Sequence, residues 1–401
     1  MDNNTSSLLP FSLEDVFQMT SLGSRDSPIT NTLFGFNHRQ TPSGVPLNKD
    51  HFGLTFFTRP QLNMTSGNLN NTRHFTQLLT QEEKSYGRFI RCTLDPRLMV
   101  KNMDDPRMSG NISTPDKLKC PLLDNEQAFI PLLTNHLKSI SGWPDLVVKE
   151  TTTKTGAYGE EHSMVDNFIL NYGSYELSAT FRNMRGNPIL ALIHFWAMYQ
   201  SFVFEGRLVP YMDMISENEI DYNTRIYRVT LDQTKKLVTN ICCTGASFIG
   251  ATPIGGLFDF SDDKPYNDAN NTFTVPFKSN GAIYNDYLAI KSFNTVTTYF
   301  NESMLDTVRD SRMVKVPIDN LPHFNYRGYP RIDPDTMELE WYVRKDDYNS
   351  KLKAINEYLG LVTQGKQTDN NYSNLVDNSE SVVRQSTQSR NYKQDKGKLY
   401  V

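Results

Sequence analysis

Three groups of residues in this 401-residue chain have types and spacings that could do chemistry, and each falls short of what its chemistry requires. Gly245-Ala246-Ser247-Phe248-Ile249 begins like the G-x-S-x-G nucleophile elbow, where a strained strand-to-helix turn exposes a serine for attack on a carbonyl. Ile249 stands where that turn needs its second glycine, so Ser247 reads as part of a loop that follows a strand. Asp259, Asp262 and Asp263 crowd enough carboxylate into one stretch to draw a cation, but the glycine and terminal glutamate of an EF-hand loop are missing, and a solvated turn fits better. Cys242 and Cys243 are adjacent; on a strand they point to opposite faces, cannot easily grip one metal ion together, and read as small packing residues.

The other titratable residues add nothing to these. The histidines (His38, His51, His74, His136, His162, His194, His323) never recur at i, i+4, and neither an HExxH helix nor a Cys/His ligand spacing occurs. Gly255-Gly256 stands alone, without the Gly-rich loop that cradles phosphates. The reading is a chain with no catalytic, cofactor-binding or metal-ligating residue, and its function is sought in its surfaces.

Composition agrees with a structured, non-steering protein. Hydrophobic residues make up 38% and charged residues 21%, below the ~25% usual in soluble domains, so a sizeable core can be buried. The length allows two or three domains at ~100 to 200 residues each. Lys and Arg number 41 against 45 Asp and Glu, a net of −4, which exerts no global pull toward nucleic acid or anionic membrane. Cys92, Cys120, Cys242 and Cys243 are too few for a disulfide framework and read as reduced thiols in a cytosol-like compartment. The start, Met1-Asp2-Asn3-Asn4, carries no signal-peptide pattern.

The elements follow from periodicity and punctuation. Residues 1–50 read as an N-terminal arm, and residues 363–401 as a polar tail. His51 to Arg59 alternates as a strand stopped by Pro60, and Arg73 to Glu83 reads as a short helix. Asp124 is expected to cap a helix through Gly142, unless that helix starts at Pro131. Asp145 to Thr153 reads as a strand, Thr155 to Gly159 as a hairpin tip and Glu161 onward as the return. Ser174 to Phe181 alternates as a half-buried strand.

Asn187 and Pro188 signal the start of a helix that runs to Phe204 and stops at Gly206. That helix, from Ile189 to Phe204, is nearly all apolar but shorter than the ~20 residues of a membrane span, so it reads as a core helix. Its aromatics Phe195, Trp196, Tyr199, Phe202 and Phe204 exceed one face, which predicts covering by its own sheet and by a neighbour. His194 reads as a core residue with a satisfied polar edge. Ile226 to Asp232 and Lys236 to Cys243 bracket a second hairpin, Gly245 to Gly256 reads as a loop, and Pro276 places the strand Thr272 to Phe277 at an edge or bulge. Met337 to Val343 reads as a strand and Lys351 to Val362 as a helix.

Taken in order, these segments resemble the tail-tube family of contractile bacteriophage tails, related in fold to the tube subunits of type VI secretion. Trp143 to Thr151 with the Gly156 to Gly159 turn resembles the family's long first hairpin. Tyr175 to Arg182 resembles the strand that enters its single helix, which Pro188 to Tyr199 resembles in turn. Tyr227 to Asp232 and Val238 to Ala246 resemble the second strand pair, and Thr272 to Phe277 the closing strand. The match covers about a third of the chain. Residues 60–142 and 300–401 lack counterparts in the shortest tube subunits, and Pro253 arrives later than the proline that usually follows the Gly-Ala turn.

The resemblance implies a mainly β fold with α (α+β), a tail-tube-like antiparallel barrel or sandwich with one packed helix. Its expected organisation is an arm (1–50), a β domain (51–300) with an insertion at about 60–142, an extension (301–362) and the tail (363–401). It further implies a non-enzymatic virion tail protein assembled in the host cytoplasm as stacked hexameric rings, without a cofactor or membrane insertion. Its partners would be tail sheath, baseplate or neck proteins, with viral DNA passing through the lumen unread. A tube initiator or baseplate protein, or a neck or tail-terminator protein, remains open beside the bulk tube subunit; a hydrolase using Ser247 or the Asp259 to Asp263 stretch is the third class. If the hairpin Lys149 to Met164 lines the lumen, Glu150, Glu160 and Glu161 offset Lys149 and Lys154.

Overall fold

Phe56 and Phe57 are neighbours in the first strand and enter opposite packing layers, as a side-chain period of two requires when both faces of a sheet are covered. The computed structural model describes residues 52–100, 118–166, 171–232, 234–258, 271–324 and 326–351. The N-terminal arm, the acidic stretch Asp259 to Asp263, nearly all of the expected helix Lys351 to Val362, and the polar tail lie outside them. The described residues divide into two units, one running to Glu302 and including Pro330–Glu340, the other comprising Ser303–Tyr329 and the chain from Trp341 onward.

The first unit is built on β1 (Phe52–Phe57), α1 (Tyr86–Leu94), α2 (Pro131–His136), β2 (Leu137–Ser141), β3 (Glu150–Thr152), β4 (Ser163–Val165), β5 (Asn171–Arg182), α3 (Pro188–Phe204), α4 (Met212–Ser216), β6 (Ile226–Leu231), β7 (Val238–Ile249), β8 (Thr272–Tyr284) and α5 (Tyr287–Phe300). Six of its strands form one sheet in the order β1-β6-β7-β8-β5-β2, with every pair antiparallel. Residues 128–130 run beside the outer edge of β1, where Ile130 N donates to Phe57 O at 2.9 Å and Arg59 N to Ala128 O at 3.0 Å. Only α2 then separates them from β2 on the opposite edge, so the sheet curls until it nearly closes as a barrel. This is the α+β, tail-tube-like architecture expected from the sequence.

One face of the sheet packs on α3. Phe57, Phe181 and Phe277 meet there at ring distances of 5.7 to 5.9 Å, beside buried Trp196 and Tyr199. Phe56 and Tyr227 on the other face meet Phe293 of α5 at 5.1 and 5.3 Å. Helix α5, which the sequence reading did not place, is capped by Asp286, whose side chain accepts from Leu288 N. The second unit has cores of its own: Met304, Met313, Tyr329 and Tyr342 in one, Val316, Leu321, Phe324 and Val343 in the other. Its strand β9 (Met313–Lys315) pairs with the later residues of β11 (Leu339–Arg344), which follows β10 (Tyr329–Ile332).

Several expectations are corrected. The helix expected from Asp124 starts at Pro131 and ends at His136; Leu137 to Ser141 instead pair with β5, because that pairing satisfies backbone groups a short frayed helix would leave bare. Arg73–Leu78 is a 3-10 turn, shorter than the helix expected there, and only Glu150–Thr152 of the strand expected from Asp145 is regular. Asn187 begins α3 without a side-chain cap; its backbone is left-handed, φ 51°, and Pro188 supplies the helix start. Gly245 to Ile249 belong to β7, where Gly245 lies against β8 so closely that a Cβ would meet Asn280 O at 2.7 Å.

Pro276 sits in an interior strand, not at an edge. Its carbonyl accepts from Gly250 N at 2.8 Å, just past the last β7 pair, Ile249 with Phe277, so its missing N–H faces the point where β7 leaves the ladder. The surplus aromatics of α3 are covered within the chain: Phe75 meets Phe195 and Phe202 at 5.8 Å. Phe204 alone of those five is bare, at 93% exposure. Among the described residues, no helix is long and apolar enough to cross a membrane.

Gly142, which follows β2, has φ +102°, and a Cβ there would meet the carbonyl oxygen of Glu176 at 2.2 Å. Gly186 has φ +87° with open space around it. Gly142→Ala is therefore expected to cost about 2–3 kcal/mol, from strain plus backbone displacement, and Gly186→Ala about 1 kcal/mol, from strain alone. Urea midpoints of the two variants check the difference.

Candidate functional site

Two of the three groups singled out by type, Ser247 and the pair Cys242-Cys243, are drawn into strand β7. Ser247 is fully buried, and its hydroxyl lies 2.9 Å from Thr244 Oγ1 and 2.8 Å from Ser279 Oγ. No histidine or carboxylate is among those partners, and its backbone exchanges two bonds with Thr224 at 2.8 Å. The hydroxyls of Thr58, Thr224, Thr244, Ser247 and Ser279 form a satisfied polar seam through the sheet, which stiffens it and leaves no nucleophile. Cys242 and Cys243 do face opposite sides of β7, half-buried and buried, and burial pushes their thiols up to about 12 and about 11.

Cys92 and Cys120 are likewise free and buried. His136 Nδ1 lies 3.0 Å from Leu132 O, and burial, then the nearby His74, holds the His194 imidazole below its ordinary range. Among the described residues, no group of three or more His, Cys, Asp or Glu could hold a metal ion. The Asp259 to Asp263 stretch lies outside them.

Two other features stand out. The first is the hairpin β3–β4, with Glu150 opposite Val165 and Thr152 opposite Ser163. Its tip is closed by Gly156 N to Glu160 O at 2.9 Å, and Thr155 Oγ1 donates to Glu161. Every residue of both strands is exposed, as are Val147, Tyr158, Met164 and Val165. Trp143, Tyr175 and Tyr284 clasp its base, with Tyr284 Oη donating to Pro144 O at 2.5 Å. A two-stranded ribbon is marginal alone, and exposed apolar shafts mark contact surfaces, so this arm has the character of something made to be covered.

The second feature is a buried polar cluster that sequence reasoning missed. Arg97, nearly solvent-free, makes a two-pronged ion pair with Asp213 (2.8 and 2.7 Å), donates to Gln61, and stacks over Tyr211 at 4.5 Å. Tyr211 Oη donates to Asp95 at 2.7 Å and Tyr199 Oη to Asp221 at 2.5 Å. Burial pushes both the Asp95 and Asp221 carboxyls up to about 6, against the hydrogen bonds they accept. For Asp213 burial also works upward, but the Arg97 hydrogen bonds and charge outweigh it and hold the carboxyl below its usual value. Of these, Gln61, Arg97, Asp213 and Asp221 line part of a cleft of about 700 Å³, which Arg59, Arg225 and Tyr299 also border. Asp95-Pro96, a capping residue followed by proline at the first helical position, was the local signal available for it; Tyr211 and Asp213 came from more than a hundred residues away.

Comparison with known proteins adds one match: the sequence model of a family described as "putative phage tail tube protein" matches residues 8–357. No curated protein matches the chain.

The cluster sets a pH dependence whose sign is fixed. Asp95 and Asp221 have raised native values, so they bind protons in the folded state that the unfolded state has released. Their contribution is full below about pH 4 and is lost as pH rises through about 6, by up to roughly 3 kcal/mol per group. Asp213 works in the opposite sense at lower pH. Asp221→Asn should flatten the fall in urea midpoint between pH 5 and pH 7.5. Arg97→Met, which strands Asp213, should cost about 3–5 kcal/mol at pH 7.5.

Proposed function

The chain belongs to the phage tail tube family and is thus a structural protein of the virion tail; on that premise we propose that it builds the tube itself. In this reading six copies form a ring by joining sheets edge to edge, and rings stack around a channel through which viral DNA passes. The observation that carries it is the curved six-stranded sheet, whose outer strand β2 carries no further strand among the described residues and whose outer strand β1 is met only at its end, by residues 128–130. Unsatisfied sheet edges are aggregation sites unless a specific partner completes the ladder, and a closed ring supplies that partner to every copy at once.

The hairpin β3–β4 supplies the second contact, from ring to ring. Its exposed Met164 and Val165 would be covered by the next ring, and Glu150, Glu160 and Glu161 offset Lys149 and Lys154, a balance that would not grip a sliding polyanion. Assembly would take place in the host cytoplasm, with sheath, baseplate or neck proteins as outer partners. A second reading, a tube initiator, baseplate, neck or tail-terminator protein, is favoured by the second unit, whose separate cores add to the tube-like sheet. No step of either reading uses Ser247.

Negative-stain electron microscopy of the purified protein across a concentration series separates the two. The tube reading expects end-on rings that stack into tubes; single particles or unstacked rings at every concentration would overturn it in favour of an initiator or terminator. Replacing residues 150–165 by a short Gly-Ser turn is expected to leave the melting temperature nearly unchanged and the rings intact, while stacking is lost, because those residues contribute exposed area and little core.

A further inference from the structure

Arg88 and Cys92 stand one turn apart on the same face of α1, and the chain around Cys120 is tied to that face. Arg88 Nη1 donates to Lys119 O at 3.3 Å. Arg59 joins the carbonyl of Cys92 (2.6 Å) to those of Asn125 (3.2 Å) and Gln127 (3.3 Å). Held this way, the Cys92 and Cys120 side chains meet: both are buried, and their thiols lie within hydrogen-bonding reach of each other. Cys242 and Cys243, neighbours in sequence, are parted by the strand that carries them.

The two sulfurs that meet are not equivalent. The Cys92 thiol donates to Cys120, and that bond, with the N–H groups of Leu122 and Leu123 and the Arg88 charge, holds the Cys120 thiol below its ordinary range against the effect of burial. Arg88 Nε is buried without a hydrogen bond, so the guanidinium has attraction to spare for an anionic sulfur. The shared bond, and then burial, pushes the Cys92 thiol up. A sulfur inclined to ionise thus touches one that keeps its proton, which is the relation between an attacking and a resolving cysteine. Lys119, Pro121 and Leu122 on either side of Cys120 are exposed, so a single layer of surface turn covers it, thin enough for a small solute to enter when the turn opens.

We propose that Cys92 and Cys120 are a redox pair, reduced inside the host cell and joined as a disulfide by hydrogen peroxide once the virion is outside it. In the first step the Cys120 thiolate attacks one peroxide oxygen and the O–O bond breaks. Cys120 becomes a sulfenic acid, and the other oxygen leaves as hydroxide, which takes a proton from solvent to become water. In the second step the Cys92 sulfur attacks the Cys120 sulfur, the S–O bond breaks, and the departing hydroxyl carries off the Cys92 proton as a second water. Each sulfur gives up one electron, and the peroxide accepts both. The new bond closes the loop from residue 92 to residue 120 and pins its end to α1, whose Ile90 and Leu94 lie in the core that encloses α3. Closing such a loop restricts the unfolded chain and stabilises the folded one. The pair would serve an initiator or neck protein as well as a tube subunit, so it stands apart from the ring-forming reading.

The test treats the reduced full-length protein with a small excess of hydrogen peroxide, blocks the remaining thiols with N-ethylmaleimide on denaturation, and maps tryptic peptides without reduction. Cleavage after Arg91, Arg97 and Lys119 places Cys92 and Cys120 on separate peptides. A link between those peptides that dithiothreitol reverses is expected, with Cys242 and Cys243 recovered as maleimide adducts although Cys242 is the more exposed thiol. The oxidised protein should melt several degrees above the reduced one. Recovery of Cys92 and Cys120 as maleimide adducts, Cys120 halted as a sulfinic acid beside a free Cys92, faster oxidation of Cys242, or a linked protein with an unchanged melting temperature would each overturn the proposal. In Cys92→Ser the Cys120 sulfenic acid has no resolving thiol and should be captured by dimedone; a folded variant that gives no such adduct would overturn the assignment of Cys120 as the attacking sulfur. Should that variant not fold, the map of the unaltered protein decides alone.

Discussion

Helix α3 is apolar around its whole circumference, and the rest of the first unit follows from the need to enclose it. One side is met by the sheet, through Phe57, Phe181 and Phe277. The other must be covered by something, and residues 62–98 do so with Leu62, Met64, Leu69, Phe75, Ile90 and Leu98. That covering segment and the residues between it and β1 carry several arginines, so enclosing the helix also drives charge inside. Arg59 is consequently bonded to the carbonyls of Cys92, Thr93, Asn125 and Gln127, Arg91 to Met64 O, and Arg97 to Asp213 and Gln61. Each buried cation needs its partners in fixed places, which is why α4, carrying Asp213, is held where it is.

The polar interior is thus a consequence of packing, and its side chains bond chiefly to one another. The hydroxyl seam around Ser247 and the tyrosine–carboxylate pairs Tyr199–Asp221 and Tyr211–Asp95 are saturated with internal bonds. In a reactive site such groups would aim at a substrate; here they aim at one another, which gives rigidity. A structural protein of a virion tail has use for that.

What the sequence disclosed was what is local. The alternation Tyr175, Leu177, Ala179, Phe181 and the Pro188 start identified β5 and α3, and Gly156 to Gly159 marked the hairpin tip. Elements fixed by distant partners were misread. Leu137 to Ser141 have apolar residues at a helical spacing and become a strand only because β5 lies beside them. Gly245 looked like punctuation, yet it lies within a strand because β8 approaches too closely for a side chain. Helix α5 was hidden by Thr295 to Thr298, poor helix formers that burial of Ala289, Ile290, Phe293 and Phe300 overrides. The Arg97 cluster draws on residues from 61 to 299, a span over which no local pattern exists.

The register of β1 also has a consequence in time. Phe52 pairs with Leu231 and Phe57 with Ile226, so the first strand of the sheet to be synthesised finds its partner only after about 170 further residues have been added. At ~5 to 20 residues per second, that is a wait of roughly ten to thirty seconds on the ribosome. Such long-range closure is intrinsically slow, and it orders events: the outer strand is not seated until β6 has formed, so the edge of the sheet is the work of a nearly complete chain.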